Sequence, residues 1–213
     1  MPDLPRTPRT THRRLPKRGS HDIALIHAIL DEGLVCHVGF VVDGQPYVLP
    51  ATYARMGDRL VLHGSLSNRM FRALVSGAPT CVTVSLLDGL VLARSALHHS
   101  MNYRSVVVLG SARAVEGREA KRAALEAIVE HVAPGRLLQV RRPSDSEVDG
   151  TLVLELPIAE ASAKVRSGPP MDEEADLALD CWAGVIPLRV VAGEPVPDAH
   201  VPAGMAAPEP ELP

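Results

Sequence analysis

A short polar run between a predicted strand and a predicted helix is where this sequence could best do chemistry. The run combines a histidine and a glycine with three small hydrogen-bonding residues and an arginine: His63, Gly64, Ser65, Ser67, Asn68 and Arg69. Free amide groups and the helix dipole at such a junction favour a phosphate, and an arginine can add a bidentate, charge-assisted bond. The alternative is a plain helix cap beside a surface arginine, because serine and asparagine cap helices in many proteins. Spacing alone leaves both interpretations open.

A second polar cluster, residues 94–104, lies between two strongly apolar stretches. Its adjacent histidines, His98 and His99, would point to opposite faces of a strand, so we do not expect them to bind one metal ion together. A metal site would need a third ligand from His37 or His63, and nothing in the spacing requires one. We therefore predict no metal site. The cluster is interpreted as a polar loop that lines a ligand cleft, with a solvated turn as the alternative.

Trp182 is the single tryptophan of the chain and lies near its C-terminus. A tryptophan in such a place usually anchors packing, although its flat face can also cover a planar ring. The sequence contains no GxSxG, HExxH or kinase-type motif and no glycine-rich phosphate loop. A hydrolase or a kinase therefore has no support from motifs.

The composition is that of a folded, globular protein. Of the 213 residues, 46% are hydrophobic, and no run of about 18 apolar residues could span a membrane. The N-terminus lacks the apolar region of a secretory signal. Three widely spaced cysteines argue against a disulfide framework, and a net charge of −3 argues against wholesale nucleic-acid binding. We expect a cytoplasmic protein without a nucleic-acid or membrane partner.

The two ends of the chain differ from its middle. Residues 1–20 carry six basic residues against one acid, with four prolines between them, so we predict a basic, extended arm. Such an arm is either a solvated tail or a segment that wraps a partner subunit or an anionic ligand. Residues 191–213 are rich in proline and are predicted to be a disordered tail. One domain is expected between them, over residues 21–190.

The middle of the chain is predicted to consist mainly of short strands. The apolar stretch 34–42 ends in Asp43-Gly44, a strong hairpin signal, and 45–54 is the predicted return strand. Its prolines, Pro46 and Pro50, indicate an edge or a bulge. The remaining predictions are strands at 59–63, 80–87, 90–97, 103–115 and 151–156, a second hairpin turn at Asp88-Gly89 and a polar loop at 141–150.

Three helices complete the predicted elements. The first begins at a Ser20 cap and ends at Gly33, the second covers residues 70–75, and the third covers residues 118–132 with its apolar side chains aligned. Many hairpin strands with few helices indicate a mainly β (α+β) fold. We predict an antiparallel barrel with flanking helices rather than a doubly wound sheet.

Seven short motifs follow one another along residues 9–190, in the runs 13–20, 44–50, 62–69, 88–95, 98–106, 164–170 and 182–185. Each is modest alone. In order and spacing they resemble the pyridoxamine 5′-phosphate oxidase-like flavoproteins, in particular the branch related to nitroimidazole reductases. The resemblance implies a six-stranded split β-barrel that forms a homodimer, with FMN in the clefts between the subunits.

The resemblance also implies roles for particular residues. The strand along the isoalloxazine ring would be Val48, Leu49, Pro50, Ala51 and Thr52. The phosphate would be held by Ser65, Ser67, Asn68 and Arg69. Further cofactor contacts would come from Asn102, Tyr103, Arg104 and Trp182. His63 matches a histidine close to the flavin, where it would orient a substrate or donate a proton, or else make only a structural hydrogen bond.

From this resemblance we expect an FMN-binding oxidoreductase that reduces a small nitroaromatic or quinone with NADH or NADPH. Two alternatives stay open. One is a non-catalytic module that stores or senses FMN, and the other is a haem-binding or haem-degrading relative with His63, His98 or His99 as axial ligand. The family also includes members that bind a deazaflavin, so the fold does not settle the cofactor. The C-terminal substrate-recognition motif of true pyridoxamine phosphate oxidases is not found, so that activity is not expected.

Overall fold

A computed structural model describes residues 3–208, most of which form two antiparallel sheets with short helices around them. The strands in these residues are β1 (Gly19–Ser20), β2 (Cys36–Val42), β3 (Gln45–Ala51), β4 (Tyr53–Arg55), β5 (Arg59–Ser65), β6 (Pro79–Leu92), β7 (Ser100–Ser111), β8 (Arg113–Ala114), β9 (Thr151–Pro157), β10 (Glu160–Arg166) and β11 (Gly184–Pro187). The α-helices are α1 (Ile23–Glu32), α2 (Arg69–Val75), α3 (Arg118–Val132) and α4 (Asp145–Asp149). The prediction of a mainly β, antiparallel fold is confirmed.

The larger sheet has the strand order β1-β10-β7-β6-β2-β3, and β11 also pairs with β6. The smaller sheet has the order β4-β5-β9-β8. The chain passes from β3 into β4 through one residue, Thr52, so the two sheets meet at this point. The split-barrel class is confirmed, with more strands than the six implied by the resemblance, because several short strands extend the sheet edges.

Side chains that alternate between buried and more exposed positions along the central strands form the core between the sheets. Val82 and Val84 on β6 lie opposite Val108 and Val106 on β7, and all four are buried. Helix α1 adds an apolar stripe of Ile26, Ile29 and Leu30, each fully buried. Because strand side chains alternate between two faces, the opposite face of the larger sheet carries polar and small residues of β6 together with the exposed valines Val41 and Val48.

The first predicted hairpin is confirmed in detail. Asp43 and Gly44 both have positive φ, 51° and 79°, which is the geometry of a two-residue type I′ turn. The turn sets a register in which Phe40 pairs with Tyr47. Strand β3 pairs with β2 alone and is therefore an edge strand, as Pro46 indicates.

The second predicted hairpin is wrong. Asp88-Gly89 is not a turn, because β6 runs through it with a bulge between Leu87 and Gly89. Gly89 pairs with β7 on one side and with β11 on the other, and a Cβ there would come within 3.1 Å of the Ile186 carbonyl oxygen. The glycine thus serves the close approach of β11 rather than a turn.

Three further local predictions are corrected. Helix α1 is capped by Asp22, whose carboxylate accepts from the Ala24 amide at 2.9 Å, and not by Ser20. The polar loop 141–150 contains α4, which begins with a capping box between Ser144 and Glu147. Strand β10 was missed, because its buried positions are alanines that give a weak apolar signal.

The basic arm packs against its own chain. Arg9 forms an ion pair with Glu160 of β10, Pro16–Arg18 forms a short 3₁₀ turn, and Gly19 pairs with Lys164. Residues 191–208 contain no helix or strand and are exposed, and the predicted disorder of 191–213 stays a prediction whose last five residues lie outside the described ones. Within residues 3–208, no helix has the length and apolarity needed to cross a bilayer.

Candidate functional site

The polar run 63–69 forms the end of β5 and the start of α2. Gly64 lies under the ring of Phe71, and a Cβ at this position would come within 2.6 Å of the ring. The glycine therefore allows α2 to pack closely against β5. That packing brings the side chains of the run together at one corner of the barrel.

Most hydrogen bonds of this run are those of a plain helix cap. Asn68 is the N-cap of α2, and its Oδ1 accepts from the Met70 amide at 2.9 Å and the Phe71 amide at 3.4 Å. The hydroxyls of Ser65 and Ser67 lie 2.9 Å apart, and both residues are exposed. Since Asn68 already occupies two helix-start amides, an anion here would bind mainly to hydroxyls and to a cation.

Arg69 provides that cation. Its guanidinium carbon lies 4.3 Å from the centre of the Tyr47 ring, and Tyr47 in turn stacks on Phe40 with ring centres 5.4 Å apart. Stacking on an aromatic face leaves the N–H groups at the guanidinium edge able to donate. Arg69 forms no ion pair with any acid in residues 3–208. Tyr47 is not among the predicted site residues, although the two-residue turn at Asp43-Gly44 sets its pairing with Phe40.

The predicted flavin-lining strand lies beside His63. Leu62 on β5 pairs with Tyr53 on β4. His63, the next residue on β5, therefore lies opposite Thr52, where β3 passes into β4. Val48 and Leu49 of β3 are 66% and 39% exposed, and Pro50 and Thr52 are exposed as well. The structure therefore brings His63, the edge strand 48–52 and the turn 65–69 to one corner.

Partial burial favours the neutral form of the His63 imidazole. Burial by the surrounding chain lowers the pKa of His63, and no charged group contributes to the shift. The side chain faces solvent in the single chain and makes no hydrogen bond within the described residues. A neutral imidazole without a partner can accept a proton or bind a metal ion through a ring nitrogen.

The predicted cleft residues of β7 are engaged elsewhere. Asn102 is buried, accepts from the guanidinium of Arg166 and donates to the Gly168 carbonyl at 3.2 Å. Arg104 forms ion pairs with Glu32 and Asp88, whose hydrogen bonds raise its pKa. These two side chains hold neighbouring elements together. Their predicted contact with a cofactor stays a prediction.

Tyr103 is half-buried, with the Lys164 ammonium 5.8 Å from its ring centre. Trp182 is 65% exposed and lies against Gly184 at the start of β11. The structure does not bring either ring to the corner at His63 through any contact within residues 3–208. Their predicted contact with a cofactor also stays a prediction.

The adjacent histidines occupy the loop between β6 and β7. His98 lies 4.0 Å from Asp172 and 3.9 Å from Glu173, while His99 Nδ1 lies 3.0 Å from the Ser95 carbonyl oxygen. Asp172 is buried and accepts from the Arg94 amide and guanidinium. Although burial opposes the shift, these bonds lower the pKa of Asp172. In the part of the chain that the structure describes, no three potential ligands are grouped for a metal ion.

A pocket of about 700 Å³ opens at the far end of the smaller sheet, around Arg59, Arg113 and Glu155. Glu155 is nearly buried and forms ion pairs with both arginines. With Asp58, which also lines the pocket, the two acids balance the two arginines, so the lining carries no net charge. It is a weaker candidate for a ligand site than the corner at His63.

The model of the family described as pyridoxamine 5′-phosphate oxidase matches residues 22–165. No curated protein matches the chain. The structure of the flavocytochrome Anf3 from Azotobacter vinelandii is similar at 41% identity and a TM-score of 0.89, over 98% of this chain and 96% of that one.

Two further solved structures extend the comparison. The FAD and haem binding protein from Mycobacterium smegmatis is 37% identical with a TM-score of 0.85, over 90% of this chain and 94% of that one. A candidate 5-nitroimidazole antibiotic resistance protein from Bacteroides thetaiotaomicron is 28% identical with a TM-score of 0.58, over 69% of this chain and 86% of that one.

Proposed function

Because the chain belongs to the pyridoxamine 5′-phosphate oxidase family, we propose that it is a redox protein that binds a flavin and a haem. The observation that carries the proposal is its similarity, at 41% and 37% identity over nearly the whole chain, to a flavocytochrome and to an FAD and haem binding protein. The proposal combines two of the expectations drawn from the sequence, the redox flavoprotein and the haem-binding relative.

The corner at His63 has the donors that a flavin phosphate requires. Arg69 carries a positive charge without a described carboxylate partner, and Tyr47 holds its guanidinium in place. Ser65 and Ser67 add two exposed hydroxyls beside it. The exposed edge strand 48–52 offers an apolar surface for the ring system. We therefore assign the flavin to the predicted residues of this corner.

The bound flavin would accept and donate hydride or single electrons. The chain's own residues would bind and orient it. The turn would hold the phosphate end, and the apolar side chains of β3 would exclude water from one face of the ring. The unpaired edge of β3 would offer backbone groups to the ring's polar rim, because that edge has no strand partner in the described residues.

His63 fits an axial ligand of haem iron better than His98 or His99 does. Iron binds the lone pair of a neutral imidazole, and burial favours the neutral form of His63 without a competing hydrogen bond in residues 3–208. His98 lies between two carboxylates, and His99 already uses one ring nitrogen at the Ser95 carbonyl. We assign the ligand to His63, in place of a purely catalytic role.

We also propose the homodimer that the resemblance implies, with the cofactor site between the subunits. On the outer face of the larger sheet, Val41 and Val48 are 52% and 66% exposed in the single chain. Gly39 pairs with Val48 and Pro46 pairs with Val41, so this part of the face is apolar and has little relief. A second copy that covers it would also close the open side of the corner at His63.

The absorption spectrum of the purified protein tests the function directly. We expect a Soret band together with the two visible bands of an oxidised flavin, and a protein that lacks both and takes up neither cofactor contradicts the proposal. Mass spectrometry of the released flavin then decides between FAD, named for the mycobacterial relative, and the FMN predicted from the sequence.

Reduction of nitroaromatics or quinones by NADH or NADPH is the second candidate, supported by the 28% identity to the resistance-associated protein. Anaerobic mixing with NADPH is expected to bleach the flavin, and a nitroaromatic is expected to restore its colour. A flavin that no nicotinamide donor reduces would instead favour a storage module.

A further inference from the structure

Several basic side chains in residues 3–208 form no ion pair, and more than half of them lie on the arm and β10. Most described arginines face a carboxylate, as Arg9 faces Glu160 and Arg94 faces Asp172. Seven basic residues of the arm and β10 form no ion pair with any acid of residues 3–208: Arg6, Arg13, Arg14, Lys17, Arg18, Lys164 and Arg166. Positive charge is therefore concentrated on one side of the molecule even though the chain as a whole is acidic.

Part of this group lines a pocket of about 360 Å³, which we call the arm pocket. Its wall consists of Thr11, His12, Arg13, Arg14, Leu15 and Lys164. The Nε2 atom of His12 is buried in this wall and has no hydrogen-bond partner in the described residues.

The fold holds the arm pocket in shape. Gly19 packs against the His12 ring so closely that a Cβ would come within 2.2 Å of it, and Gly19 itself pairs with Lys164. Upstream, the ion pair between Arg9 and Glu160 fastens the arm to the other end of β10. The pocket wall is therefore fixed on both sides, and a ligand would not have to order it.

The charge of the wall selects the ligand. Two guanidinium groups and one ammonium supply three positive charges, and no acid lines the pocket. Guanidinium forks bind phosphate oxygens bidentately, and a diphosphate carries two to three negative charges near neutral pH, about the number that these cations neutralise. A nucleic acid would need an extended basic stripe, whereas these cations surround one compact pocket.

We propose that the arm pocket binds the diphosphate group of a dinucleotide. Arg13, Arg14 and Lys164 neutralise the phosphates, and the His12 ring forms part of the wall beside them. The choice of a dinucleotide rests on the proposed redox function, because flavin and nicotinamide dinucleotides both carry this group. The binding of a diphosphate rests on the pocket alone.

Calorimetric titration of the purified protein with inorganic pyrophosphate tests the pocket. We expect one site per chain, with Kd at least tenfold weaker in Arg14→Gln and in Lys164→Gln. Lys121→Gln on α3 is the matched control, because it removes the same charge from a helix that packs on the smaller sheet. Equal affinity in all three variants, or no binding to the original protein, overturns the proposal.

A second measurement does not depend on the stability of the variants. The pKa of His12 is lowered by burial, by Lys164 and by His21, which face it together with the arginines of the wall. A bound diphosphate is expected to raise that pKa, as followed by the NMR shift of the ring in a pH titration. An unchanged titration in saturating pyrophosphate contradicts the assignment.

Two measurements show whether the diphosphate belongs to FAD or to a nicotinamide dinucleotide. If it belongs to FAD, the flavin phosphate does not lie at the corner at His63, so Lys164→Gln is purified with less flavin, Arg69→Ala keeps its flavin, and pyrophosphate competes with added FAD. If it belongs to the nicotinamide donor, flavin content stays the same while KM for NADPH rises and kcat does not change. If neither the flavin content nor KM for NADPH changes, the proposal that the diphosphate belongs to a dinucleotide is wrong. A colourless protein that still binds pyrophosphate would refute the proposed function and leave the pocket's diphosphate site standing.

Discussion

The contact between Arg69 and Tyr47 shows how one residue of the candidate site is prepared for a ligand. The guanidinium lies 4.3 Å from the ring centre, so its position is set by the β2–β3 hairpin and not by α2 alone. An arginine held in this way loses less side-chain entropy when it binds an anion. The same contact makes Arg69 a more specific candidate than a surface arginine at a helix start.

The substitution Arg69→Ala is expected to weaken flavin retention by about 1.5–3 kcal/mol, the usual loss for a hydrogen bond to a charged group. Fluorescence titration of the flavin-free protein with FAD and FMN measures the change. Arg72→Ala, one turn further along α2, is the control, because Arg72 is also exposed and forms no ion pair with a described acid. Equal flavin affinity in the two variants would exclude Arg69 from the phosphate site.

The substitution His63→Ala is expected to abolish the Soret band while the flavin bands persist, because iron would lose its axial nitrogen. Absorption spectra of protein purified with added haem measure both cofactors at once, and His99→Ala serves as the control. If His63→Ala keeps its haem but loses turnover, the catalytic role predicted from the sequence is the correct one.

At the scale of elements, the corner depends on how closely α2 packs on β5. The approach is possible because residue 64 has no side chain, and the ring of Phe71 fills the space instead. The helix has seven residues and makes few hydrogen bonds of its own, so this packing and the Asn68 cap stabilise it. A change that separates α2 from β5 would also displace Arg69.

The substitution Gly64→Ala is expected to lower the free energy of unfolding by about 1–3 kcal/mol, as overpacking in a core does. Urea denaturation measures the difference. Gly193→Ala is a control in which the added methyl group meets nothing within 4 Å, and about 0.5 kcal/mol or less is expected there. A fully stable Gly64→Ala protein would mean that α2 shifts without cost.

At the scale of the whole molecule, the exposed apolar face of the larger sheet determines how two chains can associate. Val41→Asp is expected to weaken the dimer at least about tenfold, because a buried carboxylate without a partner is costly. Sedimentation velocity measures the equilibrium. Val132→Asp on α3, where the valine is 41% exposed, is the control. Dimers of equal stability would place the interface elsewhere.

The stability of the fold is expected to fall as the pH drops below about 6.5. Burial lowers the pKa of His12 and of His27, and for His27 the charge of Arg55 adds to this effect. Since both pKa values lie below those of the unfolded chain, the unfolded state binds protons first and is favoured on acidification. Urea denaturation across this range is expected to show a smaller slope in His27→Gln, and an unchanged slope would contradict the assignment.

Local chemistry in the sequence was enough for the first hairpin and for α3. Asp43-Gly44 is a strong signal for a type I′ turn, and once the turn forms, the register of the two strands follows from its two residues. Residues 118–132 repeat their apolar side chains with the helical period, and α3 has those bounds. The sequence also placed His63 and the turn 65–69 next to each other, because they are consecutive.

The tertiary structure alone decided what residues distant in the sequence do to one another. Asp88-Gly89 became a bulge because β7 and β11 pair with it on both sides, and Asn102 is buried beside Arg166 because β7 and β10 are neighbours. His12 and Lys164 meet in one pocket wall because Gly19 pairs with β10. A local pattern records the preferences of a segment, whereas these contacts depend on which strands become neighbours in the folded sheet.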